Sequence, residues 1–279
     1  MDTAGPLLNQ DTGFAQVDAR LRASGVDTSQ FGFYDQPSAL SDKDLHEAYA
    51  RWVLLRPRDA AYDAHVRAVV PKLCKLMVGA LKADNWQGGC LVASTMMCRM
   101  LERLGIWSFG VLGSATFEVK SRDLACGFYR HDFQDFEDAV LGHAWIVIPP
   151  YGLVDATVAV QQWGDDPIAD YLPDYLAEEI TPPIVPDVSD VVSWRMRDSM
   201  SQMDEFLDPR LHLRLEPGLP IFAESFPAVS LRYGELDMRY VPISISLPEG
   251  PLEEVNADAD IGRTGGQIWD QVVGPAFAV

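Results

Sequence analysis

Trp86-Gln87-Gly88-Gly89-Cys90 opens the stretch on which the reading of this chain turns. From Leu91 to Leu104 neither Gly nor Pro interrupts, and Gly105 follows as a stop. Leu91, Ser94, Thr95, Cys98, Leu101 and Leu104 recur at three- and four-residue steps, which predicts a helix with one buried face. Cys90 then sits at or beside the helix N-terminus, where unpaired N–H groups and the dipole favour a thiolate. Gly88 and Gly89 permit a tight turn and leave room for a substrate to approach.

Downstream, His143-Ala-Trp-Ile-Val-Ile148 reads as a strand stopped by Pro149-Pro150, and Leu153-Val-Asp-Ala156 as a second strand. A hairpin turning at Pro-Pro-Tyr-Gly152 brings Asp155 beside His143. A thiolate, a base within its reach and a carboxylate to orient the imidazole are the parts that nucleophilic catalysis needs.

Gly-Gly-Cys90 opening a helix, His143-Ala-Trp on a strand and Asp155-Ala-Thr157 on the next resemble the transglutaminase-like branch of the papain-like cysteine enzymes. That superfamily also contains the arylamine N-acetyltransferases. The resemblance covers roughly Asn85 to Gln162. It implies an α+β fold in which N-terminal helices precede a nucleophile helix packed on an antiparallel sheet. It also implies that Cys90 is the nucleophile, His143 the base, Asp155 the orienting acid and Gln87 an oxyanion donor. Papain itself places that glutamine further upstream. The implied reaction is acyl transfer from an amide or ester, of peptidase, amidase or transglutaminase type, without a cofactor or metal. Nothing in the three motifs separates hydrolase from acyltransferase. The alternative is a catalytically inactive transglutaminase-like module that binds a basic protein partner.

A formal charge of −19 over 279 residues repels phosphate backbones and argues against nucleic acid. It would suit a cationic partner, but a solvated acidic surface that keeps the protein soluble is the simpler reading. No apolar run approaches the ~20 residues that span a bilayer, so no membrane partner is expected. Met1-Asp-Thr-Ala-Gly5 has neither the basic start nor the apolar core of a signal peptide. Four cysteines without Cys-x-x-Cys spacing complete the expectation of a reduced, cytoplasmic protein, although an effector secreted without a cleaved signal shares these features. Cys74 and Cys98 lie on apolar helical stripes and read as core. Cys126 falls in a loop with no adjacent base.

Residues 1–84 read as a helical region packed on a core at 85–163. Helices are expected from Phe14 to Leu21, from a capping pattern at Ser41-Asp-Lys-Asp44 to Arg56, and from near Asp59 to Leu81 with a kink or restart at Pro71. Phe31-Gly-Phe-Tyr34 reads as a surface strap, and His46 and His65 as surface or interhelical polar residues. Ile106–Val119 suggests strand, turn, strand. Residues 120–141 form an aperiodic excursion bordering the cleft, with His131, Asp132 and Asp135 in a solvated loop. The stretch 164–194 is acidic and Pro-rich, a connector or a lid, with Tyr171, Leu172, Tyr175 and Leu176 on a short helix. Residues 195–279 are expected as a β-rich C-terminal extension. Strands are predicted at Val188–Met196, Leu211–Leu215, Val229–Tyr233 and Tyr240–Leu247, with Pro242 at an edge and His212 on an exposed strand face. Asp198–Leu207 suits a helix and 248–279 a loop. Asn256-x-Asp258-x-Asp260 lacks the Gly and the closing Glu of a calcium loop.

Overall fold

β1 (Phe109–Val119) is the strand around which the sheet is built. The computed structural model describes residues 13–33, 43–133, 141–204, 208–245, 250–256 and 262–279. Tyr34, the Ser41-Asp42 start of the capping pattern, residues 134–140 of the excursion with Asp135, residues 205–207, Leu247, Asp258 and Asp260 lie outside these residues. Gly110 and Gly113 do not divide β1, which runs as one strand. On one side β1 pairs with β2 (Leu124–Phe128) along Ala115–Val119 and with β3 (His143–Ile148) along Phe109–Gly113. The sheet therefore forks at Ser114. β4 (Tyr151–Asp155) and β5 (Leu176–Glu178) continue beyond β3. β6 (Val229–Tyr233) and β7 (Leu236–Ile245) make a hairpin whose β7 pairs with the other side of β1.

All these pairings are antiparallel, in the order β5-β4-β3-β1-β7-β6 with β2 beside β1. Backbone bonds from Ser230 N–H to the Pro182 carbonyl (3.0 Å) and from Ile184 N–H to the Ala228 carbonyl (2.8 Å) curl the sheet until its two ends nearly meet. The chain is thus mixed α+β with a curled antiparallel sheet. Strands drawn from 164–194 and from 195–279 share the sheet that holds His143 and Asp155. β2 is hidden in the aperiodic excursion because its residues are half-buried, apart from the exposed Ala125, rather than alternating. Pro242 lies in a central strand, but at a register shift and beyond Tyr240, where β6 has ended. That local edge needs no N–H from it.

Helices α1 (Phe14–Ala23), α2 (Lys43–Leu55), α3 (Ala60–Ala83) and α4 (Cys90–Arg103) precede the sheet, and α3 runs unbroken through Pro71. α4 is buried on every side, not on one face, because the sheet, α3 and the C-terminal segment enclose it. Arg99 donates to the Gly250 carbonyl (3.0 Å) and Arg103 pairs with Glu253 (2.6 Å). The expected C-terminal loop contains helical turns over Gly265–Phe277 that bury Ile268, Trp269 and Val273. Phe33 of the aromatic strap is likewise core, stacked 3.9 Å from Tyr49.

Short helices α5 (Val188–Val191), α6 (Trp194–Asp204), α7 (Leu211–Leu215) and α8 (Leu219–Phe222) replace two of the expected strands. Asp187 and Asp190 form a capping box that starts α5, and Gly218 with Pro220 opens α8. Five residues of alternation at Leu211–Leu215 fit a helical turn as well as a strand, since Leu211 and Leu215 are four apart. His212 is accordingly buried in α7, not exposed on a strand. Val191, Val192, Leu211, Leu219, Ala228 and Val241 make a small second core, while Tyr240, the neighbour of Val241 on β7, points into the main one. Among the described residues, no helix is long and apolar enough to cross a membrane.

A Cβ at Gly113 would meet the Val241 carbonyl inside contact distance and the Trp145 ring at 2.9 Å. Gly113→Ala is expected to destabilise the protein by about 1–3 kcal/mol, the cost of overpacking. Urea denaturation reads this directly, and an unchanged midpoint would show that the fork is looser than described.

Candidate active site

Gly89 takes a left-handed conformation (φ 72°) as N-cap of α4, so Cys90 is the first helical residue. A side chain at Gly89 would lie 2.6 Å from the Trp86 ring nitrogen, so glycine is needed for space as well as for φ. Gly88 N–H bonds the Val160 carbonyl (2.9 Å), tying this turn to the segment after β4. Cys90 is half-buried.

His143 begins β3 at the fork of the sheet, opposite Gly113, while Phe128 at the end of β2 lies opposite Ala115. Gly142 ahead of it has φ 104° and packs on the Gly113 carbonyl, leaving no space for a Cβ. The His143 ring is fully buried, with Phe128 stacked 5.4 Å away at 24°. Its Nε2 donates to Asp155 Oδ2 at 2.6 Å. Asp155 ends β4 and accepts three further bonds. Thr157 N–H and Thr157 Oγ1 reach its Oδ1 at 2.8 Å each, and the Tyr240 hydroxyl reaches Oδ2 at 2.9 Å. Two oxygens with about four lone-pair sites are thereby filled.

Nδ1 is the ring nitrogen left for Cys90. Sulfur and imidazole are close enough to couple, but Nδ1 makes no fully formed hydrogen bond. Burial alone would lower the His143 pKa. The charges of Asp155 and Cys90 and the bond to Asp155 outweigh it and raise it to about 10. Burial would raise the Asp155 and Cys90 pKa values, yet the imidazolium holds both below their ordinary values. Thr157 assists at Asp155, and the Ala144 N–H at Cys90. The other thiols move the opposite way. Burial pushes Cys74 well up and Cys98 to about 12, and burial with the nearby Asp166 pushes Cys126, on β2 rather than in a loop, to about 12.

The structure therefore brings Cys90, His143 and Asp155 together and leaves Gln87 exposed without a hydrogen bond. Gln162 lies over the same turn, its amide nitrogen 3.5 Å from where a Gly88 Cβ would be. His65 bonds the Leu104 carbonyl (2.8 Å) between helices, and His46 is buried edge-on to Phe33. His131 and Asp132 are not a solvated loop. They bond Glu216 (3.0 Å) and Ser193 (2.6 Å) and anchor the excursion to the region of α5–α7. Among the described residues no group of three His, Cys, Asp or Glu could hold a metal ion. Sequence reasoning missed Thr157, Phe128 and Tyr240 as site residues. Thr157 carried a local signal, since Asp and Thr two apart often close such a turn. The other two arrive through sheet topology alone. No known family model matches the chain, and no curated protein or solved structure matches it either.

Proposed function

We propose that this protein catalyses cysteine-dependent acyl transfer from an amide or ester, in the manner of the transglutaminase-like enzymes its motifs resemble. The observation that supports this best is the buried His143–Asp155 bond coupled to a half-buried thiol at a helix N-terminus. In this reading the Cys90 thiolate attacks the carbonyl carbon. The tetrahedral oxyanion faces the Cys90 N–H, one of the helix N–H groups that lack an intrahelical acceptor, with Gln87 as side-chain donor. His143 passes its Nδ1 proton to the departing amine or alkoxide, leaving a thioester on Cys90. It then takes a proton from the acceptor, water or an amine, as that acceptor attacks and the thiolate leaves.

Timed alkylation by iodoacetamide at pH 6–7, with mass-spectrometric mapping, tests the thiol. Cys90 is expected to label far ahead of Cys74, Cys98 and Cys126, whose pKa values are all raised. Profiling with amide and ester acyl donors should then add an acyl mass to Cys90. Labelling of Cys90 no faster than the others, or no acyl adduct on it from any donor, would favour the inactive binding module.

A further inference from the structure

We infer that Tyr240 is a positioning residue of this site: its hydroxyl shares Asp155 Oδ2 with His143 and sets how tightly the imidazole keeps its proton. The inference rests on the acyl-transfer reading. β4 and β7 are three strand spacings apart in the sheet order, roughly 14 Å along a flat sheet. Their side chains meet at 2.9 Å because the sheet curls and both point inward. Tyr240 is fully buried, edge-on to Trp145 (5.1 Å) and Phe117 (6.3 Å), so its ring has one placement. Burial and the adjacent carboxylate keep the phenol un-ionised. An ionised carboxylate only accepts, so the phenolic hydrogen must point at Oδ2.

The titratable groups facing His143 are Asp155 from β4, Cys90 from α4 and Tyr240 from β7, and the Cys74 thiol of α3 lies near Asp155. A carboxylate accepting four bonds is a weaker base than one accepting three. Tyr240 therefore draws charge from Oδ2, and His143 gives up its proton more readily to a departing amine than it otherwise would. Removing the hydroxyl strengthens the hold of Asp155 on the imidazolium. That in turn stabilises the Cys90 thiolate, a sign opposite to that of losing the triad.

The test is the pH midpoint of Cys90 alkylation by iodoacetamide in Tyr240→Phe, with the His143 ring titration followed by NMR. The midpoint is expected to fall by about 0.5–1 on the pH scale and the His143 titration to rise, as loss of one bond to a buried charge implies. A midpoint that stays put or rises in a variant with wild-type thermal stability overturns the inference. If Tyr240→Phe does not fold, 3-fluorotyrosine at position 240 keeps the shape and strengthens the donor. The midpoint should then rise, and an unchanged midpoint overturns the inference. Failure of the underlying reading looks different: wild-type Cys90 would itself titrate as an ordinary thiol.

Discussion

His143→Ala is expected to remove most of the Cys90 alkylation seen near pH 6 and to move its pH midpoint up past that of a free thiol, about 8.5. In the wild type the imidazolium beside the sulfur lowers the Cys90 pKa against burial. Without the ring, burial and the negative charge of Asp155 both raise it, and burial, the largest effect, is opposed only by the Ala144 N–H and the helix N-terminus. In the acid range the thiolate fraction drops about tenfold for every pH unit that the midpoint rises, so the rate lost at pH 6 reads the size of the shift directly. Turnover of any acyl donor should fall by at least about 10²–10⁴, since the proton shuttle is lost as well. Asp155→Asn should move the midpoint in the same direction by less, because Asp155 supports the imidazolium without touching the sulfur. Superimposable labelling curves for wild type and His143→Ala would mean that no ion pair exists, and Cys90 would be a structural thiol like Cys74 and Cys98.

The local signals were legible because each resides in a few adjacent residues. Gly88-Gly89-Cys90 followed by an unbroken helical run predicts a cysteine at a helix start, and α4 begins there. The Pro-Pro-Tyr-Gly turn predicts the β3–β4 hairpin, and that hairpin sets the 2.6 Å bond between His143 and Asp155. Structure that depends on distant partners did not show. β1 is packed by helices α2, α4 and α5, so almost every residue of it is buried and no alternation survives to distinguish one long strand from two short ones. The acidic, Pro-rich run read as a connector because composition reports solvation and not pairing. Yet Leu176 pairs with Asp155, and Asp190 within the same run holds Arg239 through two bonds of 2.6 and 2.8 Å. Leu211–Leu215 misled for a different reason. Five residues are too few to separate a period of two from one of 3.6. Tyr240 was illegible as a site residue, since only the curl of the sheet brings β7 to Asp155.

Cys90→Ala is expected to change the slope of stability against pH and to reverse where that slope falls. The raised His143 pKa contributes stability that is fully present below its unfolded value, about 6.5, and is lost as pH rises toward the folded value of about 10. The depressed Cys90 pKa acts in the other sense. Its contribution is fully present above the unfolded value, about 8.5, and is lost as pH falls through the folded value. With the pair ionised, the folded state binds one proton, on His143, and between about 6.5 and 8.5 the unfolded chain also binds one, on the thiol. The two slopes cancel, and this site gives wild-type stability no pH dependence in that window. Without the thiol, the folded state still holds the His143 proton through Asp155 while the unfolded chain has released it. Stability of the variant, relative to wild type, should then fall with rising pH at up to about 1.4 kcal/mol per pH unit. The fall ends where His143 deprotonates in the variant, earlier than in wild type because the sulfur no longer supports its charge. Below about pH 6.5, as far down as the pair stays ionised, the relation inverts. There the wild type gains stability as pH rises, because its unfolded chain binds two protons and its folded pair one, whereas the variant stays level. Asp155 titrates well below this range and adds no slope of its own. Urea denaturation of both proteins from pH 5.5 to 8.5 in reductant measures the difference, in which all other titrating groups cancel. Parallel curves across the whole range would show that Cys90 and His143 hold no shared proton, and the proposed ion pair would be abandoned.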